Sequence, residues 1–213
     1  TETHGSYKDV SSYYDNCITP VNIVGEGEKE LIVPSTFYSW FLNYPGIWIY
    51  TSQGQEVFGA VSGTSAPAFA SFISNLSSNK KESIVYSVSN YNPTNKKMYN
   101  NSLYLLKEDN NGKLSSKIIF EEYTDTYIYG LAVNDVNGDG KQEIITYGDK
   151  FSNIGECSVS PNIRIFDFKG NLQTSKVFED GSCGKVGPIF SVTNPYKGYA
   201  DIVFLTNNRP YEL

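Results

Sequence analysis

Histidine is nearly missing from this chain: His4 is the only one in 213 residues. Catalysis through a histidine base and histidine-rich metal sites are therefore nearly excluded. Cysteine is scarce too. Cys17, Cys157 and Cys183 are the full set, so the chain can close at most one bridge within itself. Basic residues are outnumbered, with 17 Lys and Arg against 23 Asp and Glu, a net charge of −6. No basic cluster exceeds the pairs Lys80-Lys81 and Lys96-Lys97. A nucleic-acid partner is not expected, because affinity for phosphate backbones comes mainly from Lys and Arg. No apolar run is long enough to cross a bilayer, so membrane insertion is not expected either. The acidic residues are scattered and offer no carboxylate pair of the kind a glycosidase needs.

What is present points to strands. Aromatic residues make up 15% of the chain, 17 of them Tyr, and Ser, Thr and Asn are plentiful. That composition favours strands and polar loops over helices. With 39% hydrophobic residues, the length suits one domain with one sizeable core. The chain opens Thr-Glu-Thr-His without an initiator methionine, so a signal peptide or more protein is expected upstream. Sequons at Asn75-Leu-Ser77 and Asn100-Asn-Ser102 are compatible with an extracellular life.

A repeat runs through the chain. Three apolar-turn-polar hairpins, IWIYTSQGQEV, LYLLKEDNNGKL and IRIFDFKGNLQT, place turn glycines at Gly54, Gly112 and Gly170, 58 residues apart each time. An acidic residue precedes a short apolar run at Glu30, Glu82, Glu143 and Asp201. A strand entering each loop is seen as APAFASF, YGLAVN and GPIFSV. Each unit reads as four short antiparallel strands, a propeller-like blade, so the fold class expected is all-β. The best-defined unit predicts strands near 128–134, 143–148, 162–168 and 172–179. No segment keeps a helical apolar rhythm over ten residues, although Ala and Ser within 66–76 leave room for a short helix. Blades fall at about 17–61, 66–121 and 128–179, with a half-blade at 187–213. Either residues 1–15 close a small ring as an arm completing the last blade, or a further chain or subunit completes a larger propeller.

The stretch Asp135-Val-Asn-Gly-Asp-Gly-Lys-Gln-Glu143 sets oxygen side chains at loop positions 1, 3, 5 and 9 and a glycine at position 6. Calcium takes six to eight oxygens, and a tight loop of alternating Asp and Asn delivers them from one side. Asp135, Asn137, Asp139 and Glu143 would supply side-chain oxygens and Lys141 a backbone carbonyl. Gly140 permits the backbone turn. YGLAVNDVNGDGKQEIITYG resembles an FG-GAP repeat (VCBS-type, integrin-α-like), with Tyr129-Gly130 at the place of the family's Phe-Gly. The resemblance implies a calcium loop joining the first two strands of a propeller blade. Its strong part covers about 20 residues. The other units depart from it: Val24 replaces a ligand in the first unit, the second offers Ser74, Leu76 and Ser78, and the fourth has only Asp201. One intact loop in four suggests a structural calcium that stiffens a blade.

Cys157 and Cys183 flank the third hairpin symmetrically about its turn at Lys169-Gly170, so the two thiols should face each other just beyond the ladder. Such a disulfide contributes roughly 3–4 kcal/mol in the chain-entropy picture and implies an oxidising compartment. Cys17 remains as a buried free thiol. SGTSAPAFASFISNL at 62–76 resembles the nucleophile segment of subtilisin- and sedolisin-type serine peptidases, with Ser65 as nucleophile. A subtilisin-type serine needs a histidine oriented by an Asp, and no Asp precedes His4.

Long connections between second and third strands are expected at 34–46, 89–101 and 149–162, on the blade ends opposite the calcium loop. Tyr38, Trp40, Phe41 and Tyr44, with Tyr91 and Tyr99 one blade on, form an aromatic group suited to a sugar face or a protein hot spot. Packing between blades explains the same residues without a ligand. The sequence thus leads us to expect a secreted or cell-surface, non-enzymatic adhesion module that binds protein or glycan. A lectin and a fragment of a secreted serine peptidase are the alternatives.

Overall fold

A computed structural model describes residues 19–24, 29–35, 46–61, 69–73, 81–91, 99–109, 111–124, 126–151, 159–177, 186–193 and 198–206. These residues are all-β. The first sheet comprises β1 (Thr19–Val21), β2 (Glu30–Ser35), β3 (Gly46–Tyr50) and β4 (Glu56–Val61). The second holds β5 (Phe69–Ile73), β6 (Glu82–Tyr91), β7 (Tyr99–Glu108) and β8 (Leu114–Thr124). The third holds β9 (Thr126–Asn134), β10 (Glu143–Phe151), β11 (Val159–Phe166) and β12 (Leu172–Val177). The fourth pairs β13 (Val186–Thr193) with β14 (Ala200–Thr206). Each sheet is an antiparallel meander in chain order, and the sheets follow the 58-residue repeat.

The repeat is visible down to single hydrogen bonds. Thr51, Asp109 and Asp167 each open a turn whose glycine N–H donates back to their carbonyl, at 2.9, 3.1 and 3.0 Å. Gly54, Gly112 and Gly170 sit there at φ of 81°, 80° and 85°, a left-handed backbone that side chains oppose. The opening side chains cap the turns: Thr51 Oγ1 accepts from Gln55 N–H, Asp109 Oδ1 from Lys113 N–H and Asp167 Oδ1 from Asn171 N–H.

Burial runs from the middle strands outward. Residues 83–89 of β6 and 143–148 of β10 are buried throughout, because these strands are covered on both faces. That is why their sequences read as near-continuous apolar runs. Ile84, Tyr86 and Val88 pack on Val21, Ile23, Ile32, Ile47 and Ile49 of the first sheet. The opposite face of the second sheet, with Val85 and Leu103, packs on Ile128, Leu131, Ile144 and Phe166 of the third. Ile145, Tyr147 and Ile163 then meet Ile202 of the fourth. Each fully buried aliphatic or aromatic side chain contributes about 1.5–3 kcal/mol. The four sheets therefore stack face to face in chain order. Of their first strands, β9 neighbours both β5 and β13, whereas β12 lies at an edge with every residue exposed.

The strand ends differ from expectation in places. Residues 69–73 form the strand expected within APAFASF, which leaves no room there for the short helix, because Phe69 to Ile73 pair with Tyr86 to Glu82. The connection expected at 89–101 is shorter, since β6 runs to Tyr91 and β7 starts at Tyr99. Those two tyrosines are direct cross-strand partners instead of loop residues. Asn100 likewise lies in β7 with its Oδ1 buried. Finally, Ala200, one residue before Asp201, begins the second strand of the fourth sheet.

The Tyr129-Gly130 doublet has a structural task. Tyr147 pairs with Gly130 while the next residue, Gly148, pairs with Ile128, so Tyr129 is the extra residue of a bulge in β9.

Candidate metal centre

The β9–β10 connection is built by its own side chains. Asp135 accepts two backbone N–H groups, from Gly138 at 2.7 Å and Gly140 at 2.8 Å, one on each carboxylate oxygen. Asn137 Oδ1 accepts from Asp139 N–H at 2.8 Å, and Asp139 Oδ1 from Lys141 N–H at 2.8 Å. Glu143, buried at the foot of β10, closes the loop: Val136 N–H donates to its Oε2 and Asn137 Nδ2 to its Oε1, both at 3.1 Å. Gly138 and Gly140 both hold left-handed backbone, at φ 79° and 80°, so the doubled Asn-Gly-Asp-Gly rhythm lets the chain reverse within five residues.

The electrostatics of the loop are those of an anion cluster. Burial pushes the Glu143 carboxyl above its ordinary value, and repulsion from Asp139 and Asp135 adds to the rise against the bonds from Val136 and Asn137. Asp139 is held below its ordinary value, chiefly by the N–H of Lys141. The Lys141 ammonium lies 3.3 Å from Asp139 Oδ2 and is largely in water, where such a pair contributes little.

This donor set fits a hard dication. Each of Asp135, Asn137 and Asp139 spends part of its oxygen capacity on the turn and keeps lone pairs for an ion, and Lys141 adds a carbonyl. Asn137 is the one partner to rearrange, because its amide nitrogen now faces Glu143. Among the described residues no three Cys, His, Asp or Glu side chains come together as a group that could hold a metal ion.

The first sheet repeats half of the arrangement. Glu30 Oε2 accepts from Ile23 N–H at 3.0 Å, as Glu143 does from Val136. The closing glutamate thus staples its loop to the strand in both places, including the one where Val24 removes a ligand. Sequence reasoning assigned Glu143 to a metal and missed the stapling by both glutamates. It also missed Asn134, whose Oδ1 accepts from Asp135 N–H at 2.9 Å. Gly138 escaped notice too, although the second Gly in NGDG was a usable signal.

Of the other candidates, Tyr38, Trp40, Phe41, Tyr44, Ser65, Cys17, Cys157 and Cys183 lie outside the described residues. Tyr91 and Tyr99 share a backbone register position. In the third hairpin, Asn162 pairs with Val177 and Ile163 with Lys176. No helix among the described residues is long and apolar enough to cross a membrane. Compared with protein-family models and with curated proteins, the chain matches none.

Proposed function

We propose that this chain is a calcium-stabilised, propeller-type binding module of the extracellular space that engages protein or glycan through the blade ends opposite its calcium loop. One observation carries the reading: Asp135, Asn137, Asp139 and Glu143 are wound into a single glycine-turned loop whose carboxylates repel one another. A dication turns that repulsion into attraction. Asp135, Asn137, Asp139, the Lys141 carbonyl and Glu143 would hold it, and bound calcium would supply rigidity. No reaction chemistry is assigned to it.

The meander topology supports the division of labour. In each four-stranded sheet the first and third turns lie at one end and the second turn at the other, so the metal loop and the ligand-facing loops are separated by the length of a strand. Loops carried on such a frame are where recognition usually resides. Face-to-face stacking in chain order supports a propeller, closed by residues 1–15 or by a further chain.

Melting curves test the metal first. Calcium should raise the Tm of the intact chain relative to EGTA by several degrees, because an ion that binds only the folded state stabilises it by about 2.7 kcal/mol at 100 times its Kd. Asp139→Ala should remove the gain; an unchanged Tm in both proteins sinks the calcium reading. A glycan array run beside a surface-protein panel distinguishes lectin from adhesin, and labelling of Ser65 by a serine-directed probe would overturn the non-enzymatic reading.

A further inference from the structure

Ile47 and Ile49 of β3 point into the core, so Trp48 and Tyr50 point to the opposite face of the first sheet. Trp48 stands opposite Val33 of β2 and Gly59 of β4, and Tyr50 opposite Leu31 and Glu56. Leu31, Val33, Trp48 and Tyr50 are half-buried, while Glu56 and Gly59 are exposed. At the corresponding places in the second and third sheets, Leu106 and Phe166 are fully buried against the preceding sheet. Among the described residues none of the three core clusters reaches this face of the first sheet. Two glycines shape it. A methyl group on Gly46 would lie 2.5 and 2.7 Å from Cη2 and Cζ3 of Trp48, and one on Gly59 3.0 and 3.1 Å from its Cδ1 and Nε1. Both ends of the indole therefore rest on bare backbone, and the ring lies down along the sheet. Glu56 Oε1 would lie 2.9 Å from the same methyl on Gly59, so a carboxylate acceptor and the indole N–H donor flank one open spot. Among the described residues neither that N–H nor the Tyr50 hydroxyl has a hydrogen-bond partner.

We infer that this face is a binding site for a neutral saccharide chain, with Trp48 as the stacking surface and Glu56, the Trp48 N–H and the Tyr50 hydroxyl as its hydroxyl contacts. A pyranose ring turns axial C–H bonds to its faces and hydroxyls to its rim. The C–H hydrogens carry slight positive charge and meet the negative face of the indole. Rim hydroxyls can donate to Glu56 and accept from Trp48 Nε1. A protein sheet laid here would press apolar side chains on both polar hydrogens and strip them of water with nothing in return, which is costly for a buried donor. Trp48 and Tyr50 stand side by side on one strand, a flat surface and not a box, so an extended sugar fits better than a compact cation. The Glu56 carboxylate repels uronic and sialic acids and leaves neutral sugars favoured. The site lies on a sheet face, apart from the blade-end loops proposed above, and needs no calcium.

Calorimetry of the intact chain with cellohexaose and chitohexaose, both neutral and flat-faced, tests this. At least one should bind. Trp48→Ala should weaken that binding by about tenfold or more, Trp48→Tyr should keep most of it, and Glu56→Ala should weaken it about fivefold. Glu56 is exposed, so its variant serves even where Trp48→Ala fails to fold. In a Trp40→Phe chain, where Trp48 is the one tryptophan left, the sugar should change the tryptophan emission. No binding of either sugar overturns the site. Binding that survives both Trp48→Ala and Glu56→Ala also overturns it and assigns the sugar to the blade-end loops, which keeps the function proposed above. A chain that is dimeric by light scattering and turns monomeric with Trp48→Ala would show that a second copy covers this face, and overturns the site as well.

Discussion

Gly54 and Gly170 hold the same position in equivalent turns, with φ of 81° and 85°, yet their surroundings differ. A methyl group on Gly54 meets nothing within 4 Å, whereas on Gly170 it runs into the backbone carbonyl of Ile119 in the neighbouring sheet. Gly54→Ala should therefore lose only the left-handed strain, about 1 kcal/mol. Gly170→Ala should lose at least about twice that, because a backbone carbonyl cannot swing aside as a side chain can. Urea midpoints of the two variants measure the difference, and equal losses would show that the approach to Ile119 relaxes freely. The turn glycines themselves were legible in the sequence from their spacing. The unequal cost was not, since it depends on Ile119, 51 residues away along the chain.

Between elements, the seam of the second and third sheets is joined by Arg164 of β11, which grips Glu122 of β8 with both terminal nitrogens, Nη2 to Oε2 at 2.7 Å. The guanidinium also lies over the rings of Phe166 and Phe120, at 5.0 and 5.5 Å. Nothing in the local sequence marks this pair, because register and stacking alone bring the two strands together. Arg164→Met leaves a half-buried carboxylate without its partner and should cost about 2 kcal/mol, less than a fully buried pair because Glu122 keeps some water. Adding Glu122→Leu should recover most of that loss, and a double-mutant cycle from denaturation curves checks it. Full additivity would show that the ion pair contributes nothing to the seam. The hairpins were the most legible elements, since an apolar run, a glycine turn and a polar run state their own pairing. The ends of β6 and β7 were the least legible, because Tyr91 and Tyr99 read equally well as loop aromatics.

Over the whole molecule, protection should follow the strand order within each sheet. β6 and β10 are sandwiched between neighbours, while β12 is exposed along its length. Amides of Ile144 to Tyr147 should exchange at the rate of global unfolding, and those of β12 by local opening several orders of magnitude faster. Uniform exchange through the third sheet would mean that the sheets come apart as single units, contrary to a graded core. The same gradient explains the sequences: central strands are apolar on both faces, and outer strands alternate or turn polar where one face meets water.

By itself the sequence determined the all-β class, the 58-residue period, the turn positions and the winding of the Asp135–Glu143 loop. These are local matters: side-chain alternation, left-handed glycines, and Asp or Asn oxygens reaching backbone N–H groups a few residues away. Only the tertiary structure decided which sheet faces stack, that Asp135 O meets Ala200 N–H, and that Arg164 finds Glu122. Such contacts join residues dozens of positions apart, and no local pattern encodes a distance that stacking alone creates. The anion loop belongs to both levels: its shape is written in nine residues, and its hydrogen bond to the next sheet is not.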